Sequence, residues 1–574
     1  MLIFFDFEVF KHDWLVVAIN PLEQRKTVII NNPEKLKEFY QENKKKIWIG
    51  YNSRSYDQYI LKAILLDFDP KAVNDWIIIK GRKGWEFSSM FNQIPLYTYD
   101  CMNKFYSLKQ LEGFMGNDVR ETSVPFDIDR KLTVDETAST IKYCTHDVEQ
   151  TMEVFLRTKA NFDAHMNLLK TFNLGLRNIS KTQAQLSALA LGCTRTDWFD
   201  EWMLVFVDTL QIKKYVNVIN WFKDPVNHDY KNSLTTDVCG VPHTFGWGGI
   251  HGAADHPVHR KGLLLHVDVT SFYPSIMIRY DMLSRNVQDK AVYKQIYDTR
   301  VALKAAGKKA EQAPYKIILN STYGICKDPS SAAYDPRQAN NVCVNGQLLL
   351  LDLLEHLEGW IDLIQSNTDG LIIAMPQRFE TTDELVDEWF DTVDDLCYEW
   401  EQRTGMSLGF DVITEIFQKD VNNYLFKFED GKIERKGAWV KPLNDLDNDL
   451  PIVNTALVEY MVHGVPVEKT IRSCDELKQF QNIVKVSSKY LCGWHNGEKL
   501  QDKTFRVFAS AVPFDTYIGK VKLKNGVESI EKFGNTPEHC FIWNDDINGL
   551  LAPPDLDKQW YIDLAKKRLE AFGV

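Results

Sequence analysis

Asp268 closes the run Leu263-Leu-Leu-His-Val-Asp268-Val269, an apolar stretch bounded by Lys261-Gly262 that has the pattern of a buried central strand. A carboxylate there is poorly hydrated and persists only if a positive side chain, a metal ion or nearby amides compensate the lost water. The residues that follow, Ser271-Phe272-Tyr273-Pro274, end the strand, because proline bars continuation of a central ladder. One strand end thus gathers a carboxylate, a turn and an aromatic ring. For Asp268 taken alone, a capped strand edge bonded to amides accounts for the pattern.

A second group of acids lies near the amino terminus. In Leu2-Ile-Phe-Phe-Asp6-Phe-Glu8-Val9 the carboxylates are two residues apart, so on a strand both project from one face. They repel one another unless a cation lies between them. Asp57 follows the apolar run Ile47-Trp-Ile-Gly-Tyr-Asn52-Ser-Arg-Ser-Tyr56, at a polar turn and helix start. Residues Thr133 to Lys142 read as helix capped by Thr133 or Asp135, and Tyr143 and Asp147 then stand at i and i+4 on one side of it. Singly, Asp57 and Asp147 are ordinary helix-cap and surface acids; four acids and a tyrosine from three separated segments form a set.

The remaining chemistry-bearing residues are cationic or glycine-rich. On a helix, Lys316, Asn320 and Tyr323 fall at i, i+4 and i+7, and Arg300 and Lys304 share a face of the preceding helix. Such spacing also describes a solvated face. In Phe245-Gly-Trp247-Gly248-Gly249-Ile-His251-Gly252, closely spaced glycines permit tight backbone approach to a ligand, or make a plain hairpin.

These residues need a large frame to hold them. The 574 residues suffice for about three to four domains. With 44% hydrophobic residues and no apolar run of spanning length, the chain reads as soluble and globular. The amino terminus lacks a basic flank and cleavage site and reads as a first strand. Ten scattered cysteines with no CxxC pair argue against a structural zinc site and for a reducing compartment. A formal charge of -12 argues against coating nucleic acid by bulk positive charge, but Arg285 to Lys316 is locally basic. Glu380 to Glu401 is acid-rich and reads as a solvated helix face.

Three segments in order, DVTSFYPS from Asp268, Lys316-Ile-Ile-Leu-Asn320-Ser-Thr-Tyr323-Gly324, and Ser366-Asn367-Thr368-Asp369-Gly370, resemble the polymerase motifs of the family B DNA polymerases. The amino-terminal acids resemble the DEDD-type 3′–5′ exonucleases in the form that uses tyrosine. The resemblance implies a multidomain α/β fold: an RNase H-like exonuclease domain at 1–165, linker helices and first part of the palm at 166–280, fingers at 281–345, second part of the palm at 346–440, and thumb at 441–574. It implies a hairpin turn bringing Asp369 beside Asp268, with two ions, Mg2+ or Mn2+, per active site. Asp268, the carbonyl of Val269 and Asp369 would hold one pair; Asp6, Glu8 and Asp147 would hold the other, with Asp57 supporting and Tyr143 orienting the attacking water. Arg300, Lys304 and Lys316 would meet the triphosphate of a dNTP. Tyr273 would lie under its sugar and exclude a 2′-hydroxyl; Asn320 shares this nucleotide site, and Tyr323 would stack on the nascent base pair. Asn52, Tyr56, Ser107 and Leu108 resemble contacts to a single-stranded 3′ end, with Lys131 a looser match for a residue on the scissile phosphate. Trp247, Gly248 and Gly249 resemble a template contact, and Tyr424, Lys427 and Lys436 resemble contacts near the primer end.

The chain departs from the family pattern at Asn367, where an Asp is usual, and at Asn422, where a Lys is usual. Its length resembles the compact phage branch. Pro274 to Tyr315 is only long enough for a two-helix hairpin, and Ile325 to Ser366 for about one helix and one strand. The insertions of protein-primed relatives are therefore expected to be absent, or the second vestigial, and extension of nucleic-acid primers is expected. The implied partners are primer-template DNA and dNTPs, with any clamp, helicase or single-strand-binding protein left open. A monomer away from membranes is expected, in the cytoplasm of a bacterial host if phage-encoded. Two rival readings follow from the same residues: an exonuclease with a polymerase-like DNA-binding scaffold, and a non-catalytic replication factor.

Overall fold

The computed structural model describes residues 1–102 and 105–574. They form two compact units, each an α/β arrangement with its own sheets. The first comprises Met1–Lys181, Leu443–Val453 and Glu468–Asp563; the second comprises Thr182–Pro442, Asn454–Val467 and Leu564–Val574. The break expected at residue 165 therefore lies inside the first unit, and the block expected at 441–574 is shared between the two. Among the described residues no helix is long and apolar enough to cross a membrane.

The first unit opens with β1 (Leu2–Val9), β2 (Trp14–Asn20), β3 (Arg25–Ile30), β4 (Ile47–Gly50) and β5 (Thr98–Asp100), ordered β3-β2-β1-β4-β5. Most of β1 is buried on both faces, which is why it reads as a nearly unbroken apolar run. Phe5, Phe7 and Trp48 pack on one side of the sheet with the helix Asp57–Leu65; Phe4, Val17 and Ile49 pack on the other with the helix Val134–Arg157. Thr133 caps that second helix in a reciprocal box with Glu136.

The second unit is built on nine strands: β6 (Ser233–Val238), β7 (Val241–Gly246), β8 (His251–Ala253), β9 (Val258–Val269), β10 (Asp362–Asn367), β11 (Gly370–Ala374), β12 (Leu408–Asp420), β13 (Asn423–Phe428) and β14 (Ile433–Lys436). Their order is β14-β13-β12-β9-β11-β10-β8-β7-β6, so β9 is central, flanked by β11 and β12, both antiparallel to it. After β9 the chain turns through Ser271, held in the left-handed region at φ 50°, into the helix Phe272–Arg279. Pro274 sits in the first turn of that helix, where a missing N–H costs nothing.

The next helices are Lys290–Ala305 and Lys309–Lys327, joined at Gly307 with φ 70°. Pro314 lies inside the second helix. Between that helix and β10 comes one further helix, Pro336–Leu357, almost wholly buried. The acid-rich stretch forms the helix Asp383–Thr404.

The later part of the first unit adds β15 (Asn482–Lys485), β16 (Cys492–His495), β17 (Glu498–Leu500), β18 (Thr504–Ala509), β19 (Gly519–Lys524), β20 (Val527–Lys532) and β21 (Cys540–Ile542), in sheets ordered β15-β18-β21 and β17-β16-β19-β20. Arg506 on β18 is 0% exposed. Its guanidinium donates to the carbonyls of Gly113, Asn117 and Asp545 at 3.1, 2.7 and 2.8 Å. Those carbonyls have no water to turn to if the side chain is shortened.

Arg506→Met should therefore destabilise the first unit by about 3–5 kcal/mol, and Arg506→Lys, with its single ammonium, should recover only part of it. Denaturant unfolding followed by a probe in this unit tests it; loss under about 1 kcal/mol would contradict the reading.

Candidate active sites

In the second unit Asp268 faces Gly370 across the β9–β11 ladder, and the amide of Val269 donates to the carbonyl of Asp369 at 2.8 Å. The pairing register thus brings Asp369, in the tight turn between β10 and β11, beside the end of β9. Both carboxylates line a cavity of about 520 Å³ together with Val269, Ser271, Tyr273, Arg300, Lys316, Asn320, Tyr323 and Thr368. Burial, then the neighbouring Asp369, push the Asp268 carboxyl up to about 6, against the opposing pull of His266 and Lys304. Asp369 itself is exposed to the open side.

The cations come from the helix hairpin. Arg300 donates from Nη1 to Ser271 Oγ at 2.8 Å, while its buried Nε meets no partner among the described residues. Lys304 is exposed and does not line the cavity, though its charge reaches Asp268. Tyr273 lies 4.8 Å from Tyr323, centroid to centroid. Behind it stands Gly346, where an added Cβ would come within 3.1 Å of the Tyr273 ring.

The glycine-rich segment is pinned to this region. A Cβ on Gly249 would lie 2.3 Å from Thr368 Oγ1, in the turn that carries Asp369. Gln347 donates to the carbonyls of Gly246 and Gly248 at 2.7 and 2.9 Å, and Lys327 donates to the carbonyl of Trp247 at 2.5 Å. Asn367 bonds the ring of His251 and accepts from the Thr368 amide at 2.9 Å.

The side chains of two expected DNA contacts, Trp247 and Tyr424, are buried. Trp247 is 4% exposed and packs its indole against Trp202 at 4.6 Å and Phe222 at 5.5 Å. Tyr424 is 5% exposed, stacks on Phe426 at 4.0 Å and donates to Glu434 at 3.0 Å. Lys427 pairs with Glu415 at 2.7 Å, and Lys436 lies over the Tyr424 ring at 5.7 Å.

In the first unit Asp6 and Glu8 project from one face of β1. Burial first, then the acids around them, Asp57 and Asp147 among them, raise both well above the ordinary carboxylate range. Asp57 opens its helix and accepts from the Phe7 amide at 3.1 Å; burial nevertheless carries its pKa to about 7. Asp147, also buried, sits at about 6. Burial and the charge of Asp147 raise the Tyr143 hydroxyl as well.

Lys109 was not among the expected site residues, although it directly follows Ser107 and Leu108. Its ammonium is 2.5 Å from Asp147 Oδ1, 3.0 Å from Glu112 Oε1 and 4.6 Å from the centre of the Tyr143 ring. Burial disfavours the charged form, but Asp147 and Glu112 outweigh it and hold the pKa above the ordinary lysine value. The i, i+3 pair Lys109–Glu112 was the only trace of this in the sequence. Ser107 caps the helix Leu108–Met115 and meets Gln110, and Leu108 packs against the apolar face of the sheet. Asn52 adopts φ 60° with its amide on Asp100, and Tyr56 donates to Asn74 at 2.8 Å.

Among the described residues two groups of acids with His or Cys have donor atoms close enough to hold a metal ion: Asp6, Glu8 and Cys144, and Glu112, His146 and Asp147.

No protein-family model matches this chain, and no curated protein matches its sequence. Among solved structures, the family B DNA polymerase from the hyperthermophilic archaeon Pyrobaculum calidifontis aligns with 100% of this chain and 77% of its own, at 15% identity and a TM-score of 0.42.

A pH dependence follows from the first unit's carboxylates. Asp57 and Asp147 have folded pKa values raised to about 7 and about 6, so folding favours their protonated forms. Their contribution is present below the ordinary range near 4 and is lost as pH rises through about 6 to 7. In chelator, the melting temperature should fall from about pH 5 to about pH 8, and Mg2+ should restore more of it at the higher pH. An Asp57→Asn variant that melts with the same pH slope would refute this.

Proposed function

We propose that this chain is a template-directed DNA polymerase with its own 3′–5′ exonuclease, of the family B type in its compact phage branch, and that it extends nucleic-acid primers. The observation carrying this reading is the β9–β11 register, which brings Asp268 and Asp369 into one cavity with Arg300, Lys316, Asn320 and Tyr323. The donor set suits divalent ions: two carboxylates, one raised by burial and by the other. Asp268, the Val269 carbonyl and Asp369 would hold them. When bound, two Mg2+ or Mn2+ ions supply Lewis-acid stabilisation of the attacking and leaving oxygens of a phosphoryl transfer.

The chain's own residues do the rest. Arg300 and Lys316 offer positive charge to a triphosphate, with Lys304 adding long-range attraction. Arg300 is held in place by Ser271, so little reorganisation is needed at the moment of reaction. Tyr273 is backed by Tyr323 and by the Gly346 backbone, so its ring has little room to retreat from a 2′-hydroxyl. The primer 3′-hydroxyl attacks the α-phosphate in line and pyrophosphate leaves. Gly248 and Gly249 present backbone to the template strand; Lys427 and Lys436 would meet primer phosphates, with Tyr424 acting through its packing.

For the exonuclease, Asp6, Glu8 and Asp147 would hold the ions and Asp57 would brace them through the Phe7 amide. Tyr143, fixed beneath the Lys109 ammonium, orients the attacking water. Asn52, Tyr56, Ser107 and Leu108 are the proposed contacts to a frayed 3′ end. Pro274 to Tyr315 holds little beyond the helix hairpin, and one helix separates it from β10, which supports priming by a nucleic acid.

One gel tests both activities. With dNTPs a primed template should be extended, and Asp369→Ala should reduce this at least about 10³-fold while trimming persists. Without dNTPs the primer should shorten, and Asp6→Ala should stop this while extension persists. Extension surviving in Asp369→Ala would overturn the reading. Gly249→Ala, pressing on Thr368, should slow extension about 10–100-fold by displacing the Asp369 turn, and Thr368→Ala in the same chain should recover it; no recovery would mean that the loop acts by another route.

A further inference from the structure

Beside Asp6 lies a thiol that a site for hard ions alone does not require. Cys144, on the helix Val134–Arg157, is 0% exposed. Its Sγ stands 3.4 Å from the Asp6 carbonyl and 3.6 Å from Asp6 Oδ2. One oxygen of Asp6, one of Glu8 and this Sγ all lie within 4.8 Å of one another. Glu8 supplies the second, independent observation. It is 7% exposed, and among the described residues its carboxylate makes no direct hydrogen bond or ion pair, the Lys109 ammonium acting on it only as a nearby charge. A buried carboxylate turned toward a thiol and another carboxylate, with no donor of its own, has the surroundings of a metal ligand.

We propose that Asp6, Glu8 and Cys144 form a site for a thiophilic divalent cation of the zinc class. That cation competes with the hard ion for two carboxylates and silences trimming, a consequence that rests on the exonuclease reading above; the site itself does not.

The donor types decide the class of ion. Mg2+ prefers oxygen throughout, whereas a thiolate turns preference toward Zn2+, Cd2+ and Co2+. With Zn–S about 2.3 Å and Zn–O about 2.1 Å, two ligand atoms on one tetrahedral ion lie about 3.4–3.6 Å apart. The three donors, within 4.8 Å of one another, close by about 1 Å on capture. On capture the S–H bond breaks, a sulfur–metal bond forms and the proton passes to bulk water; no electrons are transferred. Extension in the second unit uses none of these three residues.

The test uses the full chain, free of Mg2+ and titrated with Co2+. A thiolate-to-cobalt charge-transfer band should grow to one equivalent, vanish in Cys144→Ser and Cys144→Ala, and persist in Cys101→Ser, whose buried thiol lies outside the cluster. X-ray absorption of the unaltered chain with one equivalent of Zn2+ should show one sulfur scatterer, which decides the matter even if the variants fail to fold. At fixed Mg2+, the Zn2+ concentration that halves trimming should rise at least about tenfold in Cys144→Ser, with extension by the same preparation unaffected. No band and no sulfur scatterer on the folded wild type would overturn the site, as would a band surviving both Cys144 variants. A chain that shows the band but trims equally well with Zn2+ would overturn the competition. Absence of trimming in Mg2+ would instead count against the exonuclease reading and leave the cobalt spectrum to judge the site.

Discussion

Carboxylates are pressed together in this protein where too little water reaches them to keep their charges apart. Like charges about 4 Å apart in partly screened surroundings oppose one another by about 4 kcal/mol, and burial adds to the cost of ionising each. The fold could have avoided this by separating the acids. Instead β1 directs Asp6 and Glu8 to one face, and helices on that sheet add Asp57 and Asp147. All four carboxyls are raised above their ordinary range, chiefly by burial, so the arrangement resists full ionisation.

The two units meet this constraint differently. In the first, Lys109 is drawn from the adjoining helix into the acid cluster, where it is ion-paired to Asp147 and Glu112 and covers Tyr143. A tethered cation of this kind orders Asp147 and Tyr143 before any ion arrives. In the second, the acids stay more open. Asp369 is exposed, and the cations that answer it, Arg300 and Lys316, are carried on a helix hairpin across the cavity's lining. The first arrangement is closed and internally paired; the second is an open cavity rimmed with cations, which attracts anions.

Holding the second site together falls to the buried helix Pro336–Leu357, which carries more polar residues than a core helix ordinarily would. Each has a fixed partner. Asn345 accepts from the Val207 amide and donates to the Val205 carbonyl, Asp352 pairs with Arg403, and Gln347 clamps the backbone of the glycine-rich segment. Gly346 on the same helix leaves just enough space for Tyr273. The loop before β8, the turn carrying Asp369 and the floor of the cavity therefore share one scaffold. A buried polar group without its partner is costly, so these bonds specify a single arrangement.

How much of this the sequence determined by itself can be stated residue by residue. The apolar runs ending at Asp268 and surrounding Asp6 became the central strands β9 and β1, because hydrophobic pattern and strand period are local properties. The cap at Thr133 and the two-helix hairpin were readable for the same reason. What only the tertiary structure decided depends on contacts between distant segments. That Gly370 is the residue facing Asp268 follows from strand register, that Lys109 reaches Asp147 from the packing of two helices, and that Trp247 and Tyr424 are buried from the aromatic residues stacked on them. Cys144 looked like one thiol among ten until the fold set it against Asp6 and Glu8. Spacing along a chain records which residues share an element; it carries no record of which elements will meet.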